Sequence, residues 1–98
     1  MSVRMIIEVS NASGAQTVLQ ALDAYKRRLR AGIERTQQHL TTFEVRYEVN
    51  TDHFLKEMTA EDLEGGDLEY VAWAGEAKLL AQLKAELLEL EDARCQFS

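Results

Sequence analysis

Leu63-Glu64-Gly65-Gly66-Asp67-Leu68 is the stretch that decides the fold, because its paired glycines are the strongest break in a chain that has no proline. On its N-terminal side Val18, Leu22, Tyr25, Leu29, Ile33, Leu40, Phe43 and Tyr47 recur mostly three or four apart. That spacing is one stripe of a single helix held over about 30 residues, some 45 Å at 1.5 Å per residue. On its C-terminal side Leu68, Val71, Trp73, Leu79, Leu80, Leu83, Leu87 and Leu90 read as a second long helix, with the last four of the series alternating three and four apart like a coiled-coil seam. Two long helices either side of a compact corner fold back on each other, so the expected architecture is mainly α, an antiparallel helical hairpin in one domain.

Caps and breaks set the expected boundaries. Ser10-Asn11-Ala12-Ser13 supplies side-chain oxygens to start a helix over 13–48, within which Gly32 is a weak point or a place of close helix contact. The corner is expected over 51–66, with Thr51 capping a short helix through Met58 and Thr59 capping a further turn with Asp62 three residues on. Gly65-Gly66 closes it, and Asp67 is expected to cap a helix over 67–94.

Residues 3–9 carry a different period. Val3, Met5, Ile7 and Val9 alternate with Arg4, Ile6 and Glu8, the signature of a short N-terminal β-strand. No second strand-like run follows, so the backbone groups of this strand must be paired by another chain. A homodimer would answer both needs: a two-stranded ribbon built on Val3, Met5, Ile7 and Val9, and a four-helix bundle covering the apolar surface that each hairpin leaves over.

Composition narrows the class. Apolar residues are 46% of the chain and charged ones 29%, too apolar for disorder, and no uncharged apolar run approaches the roughly 20 residues of a membrane span. The apolar stretch near the N-terminus is too short and interrupted for a signal peptide, and the lone Cys95 has no second cysteine for a disulfide or metal site, so a cytoplasmic protein is expected. The net charge of −6 is unevenly placed: residues 1–50 hold seven Lys/Arg and five Asp/Glu, residues 51–98 four and twelve. An acidic surface repels phosphates and attracts basic protein surfaces, which favours a protein partner over nucleic acid.

No catalytic site, cofactor site or metal site is expected. His39 and His53 are fourteen residues apart, not at the i, i+4 spacing that puts two imidazoles on one metal. Glu61, Asp62, Glu64, Asp67 and Glu69 lack the ordered spacing of a calcium loop, and carboxylates are favoured at helix N-termini without any cation. No serine stands in a motif that would activate a nucleophile, so the chain reads as a non-enzyme. The run Lys26-Arg27-Arg28-Leu29-Arg30 can touch phosphates or simply solvate a helix flank through pairs such as Asp23 with Arg27. A strand followed by a helix also resembles the opening of a ribbon-helix-helix repressor, but Arg4, Ile6 and Glu8 offer a DNA groove one cation, one aliphatic group and one anion. A ribbon-type DNA-binding regulator is therefore the alternative, and a structural coiled-coil adaptor a further one.

Phe43, Tyr47, Phe54, Tyr70 and Trp73 gather most of the aromatic area at the corner, either as a plug for the hairpin end or as anchors of a binding surface ringed by acids. The pattern Phe43-Glu44, Tyr47, Thr51, Phe54, then residues 62–70 from Asp62 to Tyr70, then Trp73-Ala74-Gly75-Glu76, resembles small acidic helical antitoxins of prokaryotic toxin–antitoxin pairs, partners of TumE-type toxins. The resemblance covers roughly half the chain and departs from the pattern at Tyr47-Glu48-Val49, where a glycine is expected after the tyrosine. It implies an antitoxin-like protein that neutralises a basic, nuclease-type toxin by occupying its cationic groove. The residues expected to make that contact are Asp67, Glu69, Tyr70, Trp73 and Glu76, of which Tyr70, Trp73 and Glu76 lie three apart and share a helix flank.

Overall fold

The computed structural model describes residues 3–93 and contains three α-helices and one 3₁₀ turn. Helix α1 spans Ala12–Tyr47, α2 Thr51–Glu57, the 3₁₀ turn Ala60–Asp62, and α3 Gly66–Asp92. Helices α1 and α3 pack as the arms of a hairpin 59 Å long and 28 by 19 Å across, and α2 with the 3₁₀ turn fills its closed end. The expected hairpin is present. The end of the expected last helix at Arg94 lies outside the described residues, as does Cys95.

The caps differ in detail from those the sequence suggested. Asn11 starts α1, its side chain accepting the Gly14 N–H at 2.9 Å. Asn50 rather than Thr51 caps α2, accepting the His53 N–H at 2.7 Å, because Asn50 takes the extended conformation of a cap while Thr51 is already helical. The Asp62 carboxylate does accept from both the backbone N–H and the hydroxyl of Thr59, at 2.8 and 3.3 Å. Asp67 does not cap α3. The helix begins at Gly66, whose φ of +62° turns the chain into it, and Glu69 reaches back to accept the Gly65 N–H at 3.4 Å.

The N-terminal strand is corrected. Among the described residues no strand is formed, and residues 3–11 run irregularly into α1 with an isolated bridge residue at Ile7. Val3, 93% exposed, and Met5 stand in solvent while Ile7 and Val9 are half-buried, so the four do not share a buried face. Without that strand the expected two-stranded ribbon is not shown either. Alternation specifies a face only where a neighbouring strand makes a sheet, and Val9 packs against the start of α1 instead: its Cβ sits 3.2 Å from where a Cβ on Gly14 would be.

The core lies at the closed end. Leu40 from α1, Phe54 from α2, Leu63 from the loop and Trp73 from α3 form its buried centre, with Phe43, Tyr47, Met58 and Tyr70 packed around it. Trp73 and Phe54 are fully buried and stack 3.9 Å apart with ring planes 1° from parallel, and Phe43 and Tyr47 stack on the same indole at 5.2 and 5.7 Å. Along the stem the two helices share a narrower seam. Gly32 is buried there, with Leu83 Cδ1 only 3.3 Å from where its Cβ would stand, and the buried Thr36 hydroxyl donates back to the Gly32 carbonyl at 2.8 Å. Gly32 is thus a site of close helix approach. Among the described residues no helix is long and apolar enough to cross a membrane.

Candidate functional site

The closed end is held by a polar frame that begins at α1. Glu44 Oε2 accepts the Thr51 N–H at 2.7 Å and its hydroxyl at 3.0 Å, fixing the start of α2 to α1. One turn on, the Tyr47 hydroxyl donates to Glu69 and accepts the Glu64 N–H at 2.9 Å, so a single phenol ties α1 to the loop and to α3. Arg46 beside it forks between Glu69 at 2.6 Å and Glu64 at 2.8 Å. Partial burial and then the hydrogen bond to Glu69 push the Tyr47 phenol above its ordinary value, while the hydrogen bond to Glu64 holds the Arg46 guanidinium still further toward its charged form.

The five residues expected to meet a partner are dispersed by this frame. Trp73 is a core residue and no surface anchor: it is fully buried, and its indole N–H donates to Thr51 at 3.1 Å. Tyr70 is half-buried and tilts against Phe54 at 5.0 Å. Glu69, with a side chain 11% exposed, is consumed by Arg46 and Tyr47. Glu76 turns toward α1, where Oε1 meets His39 Nδ1 at 3.2 Å, and its Oε2 is buried without a hydrogen-bond partner. Asp67 alone of the five is exposed. Three-residue spacing placed Tyr70, Trp73 and Glu76 on one flank correctly, but that flank faces inward.

The surface that α3 does present is made of apolar residues outside the expected seam of Leu80, Leu83, Leu87 and Leu90. Leu68 is 86% exposed, Val71 68%, and Leu79 is exposed as well; together with Ala72 and Gly75 they form an outer stripe at helical spacing. The inner seam is the separate series Trp73, Leu80 and Leu87, seven apart, with Leu83 and Leu90 beside it. Both interlaced series are present in the sequence, but their periodicity does not say which of them faces α1. At the head of the outer stripe lies the acidic end: residues 44–69 contain nine Asp/Glu against two Lys/Arg, a difference of seven negative charges. On the other side of the hairpin a shallow depression of about 580 Å³ has Leu40, Ala77 and Leu80 at its base and Glu44, Asp52 and Leu55 along its edge.

The basic run occupies the open half of the stem. Arg27 pairs with Asp23 at 3.7 Å, Arg30 with Glu91 of α3 at 3.6 Å, and Arg28 lies over the Tyr25 ring at 5.8 Å. The carboxylate of Glu86 next to Tyr25 holds that phenol above its ordinary value. Among the described residues no three His, Cys, Asp or Glu side chains converge in a way that can hold a metal ion. What the arrangement offers chemically is therefore a rigid acidic end, an exposed apolar helix stripe and a shallow groove. Comparison with family models, with curated proteins and with solved structures gave no match.

Proposed function

We propose that this protein is a non-catalytic, antitoxin-like interaction module that neutralises a basic, nuclease-type partner protein by direct binding. The observation that carries the reading is the exposed apolar stripe of Leu68, Val71 and Leu79 on a rigid helix whose first turns lie in the acid-rich end of the molecule. Exposed apolar side chains in a contiguous stripe are the usual mark of a contact surface, and the surrounding carboxylates steer a cationic partner toward it. A toxin that acts on RNA needs a cationic groove, and an acidic ridge with an apolar crest competes for that groove by charge and shape. The resemblance of the segment from Phe43 to Glu76 to small acidic antitoxins supplies the partner type. The ribbon-type DNA-binding alternative has less support, since residues 3–9 form no strand.

The test is to co-express the protein with the product of its neighbouring gene, assay growth, and purify the pair. The expected result is a stable complex, slower to form at high salt, and relief of toxicity that Leu68→Asp with Val71→Asp abolishes without loss of helix content. A neighbouring product that is harmless alone, or that is relieved equally by the double variant, removes the reading.

A further inference from the structure

Gly75 has no reason inside this chain to be a glycine. Its backbone is ordinary right-handed helix, and a Cβ there would meet nothing within 4 Å. Glycine is nonetheless among the poorest helix formers, and this one stands in the interior of a 27-residue helix. What surrounds it on the outer side of α3 is ordered: Leu68, Ala72, Gly75 and Leu79 follow at spacings of four, three and four, all of them exposed, with Val71 beside them. That is the spacing of a seam that packs on another helix, here with large side chains at its ends and none at its centre. The seam that α3 turns toward α1 is the separate series through Trp73, Leu80 and Leu87, so the outer one has no helix on it within the hairpin.

We infer that the outer seam of α3 receives a single amphipathic α-helix of the basic partner, which crosses closest at Gly75 and is apolar in its middle and cationic toward both ends. The inference rests on the function proposed above and adds how the partner sits. A helix is the occupant because a sheet edge or a loop has no period that matches four, three and four, and because a bare backbone at the centre of a seam lets two helix axes approach closely. Its charge follows from what lies at the two ends of the crest. Asp67 at the head and Glu89 at the foot are exposed, and neither is paired with a cation among the described residues. They are about 33 Å apart along the axis, and the apolar crest between them is about 17 Å long, at 1.5 Å per residue. Lys78 stands beside the crest, but α3 as a whole carries seven Asp/Glu against two Lys, a net of five negative charges. A helix with carboxylates at its own ends would be repelled there, and a cationic one is drawn in and held in register.

The test is an amide NMR titration of the labelled full chain with a synthetic helical peptide that has an Ala/Leu seam and Lys at both ends, set against the same peptide with Glu in place of Lys. The expected result is a saturable shift of Leu68, Val71, Gly75 and Leu79 with the Lys peptide and none with the Glu peptide. Gly75→Leu should weaken that binding roughly tenfold or more, while its urea midpoint is no lower than that of the wild type, because the added side chain enters open space and favours the helix. A face that is merely sticky predicts the reverse, since leucine adds apolar area. Shifts confined to other parts of the chain, no saturable binding, or Gly75→Leu binding as tightly as the wild type overturns the inference. The two readings fail separately. A toxic neighbouring gene product that Gly75→Leu still neutralises, and that Leu68→Asp with Val71→Asp does not, leaves the proposed function standing and removes the helix. A harmless neighbouring product removes the proposed function, and the peptide titration still decides whether this face takes a basic helix.

Discussion

The indole N–H of Trp73 donates to the hydroxyl of Thr51 at 3.1 Å, and that hydroxyl donates in turn to Glu44 at 3.0 Å. One threonine therefore carries the hydrogen-bond link from α3 through α2 to α1, and it satisfies the polar atom of a fully buried side chain. Thr51→Val keeps the shape and removes both bonds, leaving the indole N–H buried without an acceptor. The expected cost is about 1–3 kcal/mol, with Thr51→Ser losing much less. Urea unfolding checks it: the midpoint should fall for valine at an unchanged slope, and equal midpoints for valine and serine would show that the hydroxyl is idle.

Glu48 ends α1 in the left-handed region, at φ 55°, with its N–H bonded to the Glu44 carbonyl. This is the position at which the antitoxin pattern led to the expectation of a glycine, and the backbone explains why a glycine belongs there. An L side chain in that conformation costs roughly 1–2 kcal/mol, part of which glycine loses again through its freer unfolded chain. Glu48→Gly is expected to stabilise by about 1 kcal/mol and Glu48→Ala to do little, which separates the backbone effect from the loss of a charge. A thermal midpoint raised equally by both substitutions would assign the gain to charge instead.

Gly32 and Gly75 both interrupt long helices, but only one has a packing reason inside the chain. A Cβ at Gly32 would meet Leu83 at 3.3 Å, whereas one at Gly75 meets nothing within 4 Å. Gly75→Ala should therefore collect most of the helix-propensity difference of about 1 kcal/mol, while Gly32→Ala should be near neutral or destabilising as Leu83 gives way. Chemical denaturation of the two variants gives the comparison directly, and a larger gain at position 32 would contradict it.

The hairpin was legible because its signals are local: two stripes of period 3.6, no proline, and one glycine pair. The Thr59–Asp62 contacts were legible for the same reason. What escaped the sequence were matters of partner. Residues 3–9 alternate, but alternation becomes a strand only when a second strand lies alongside. Trp73 looked like an anchor because aromatic spacing shows that residues share a flank and not which way the flank faces; Phe54 and Thr51, from a separate element, decide that. Leu68, Val71 and Leu79 stand in one apolar series with the buried residues of the helix, because apolar periodicity alone does not separate an inner stripe from an outer one.

Tyr47 should make the fold sensitive to alkali. Its phenol is raised in the folded protein, first by burial and then by the bond it donates to Glu69, so the folded state holds this proton more tightly than the unfolded chain does. Its contribution is complete below the unfolded value of about 10 and is lost as the pH climbs past the higher folded value. Wild-type stability should thus fall above pH about 10, and Tyr47→Phe, less stable at neutral pH, should show a shallower fall. Tyr25 is raised too but is retained in both proteins, so the difference between their pH profiles isolates Tyr47. Parallel profiles would mean that the phenol's proton is not part of the frame.

Arg46 serves two carboxylates that differ sharply in exposure: the Glu64 side chain is 78% exposed and that of Glu69 only 11%. The pair with Glu64 is screened by water and loses side-chain freedom on forming, so Glu64→Ala should change stability little and that little should vanish in high salt. Glu69 is different, because its carboxylate is enclosed by Arg46, by the Tyr47 hydroxyl and by the start of its own helix. Removing the guanidinium leaves that charge with fewer partners in a place water reaches poorly, which is the costly direction in which to break such a pair. Arg46→Ala is therefore expected to lower the thermal midpoint well beyond Glu64→Ala, and the deficit should persist in high salt. Arg46→Lys should fall between them, since a single ammonium cannot fork to both acids and gives up the stacking of Arg46 over the Tyr47 ring at 5.4 Å. Thermal melts of the three variants at low and high salt give the ranking, and a Glu64→Ala loss as large as that of Arg46→Ala would show that the frame is held from the solvent side.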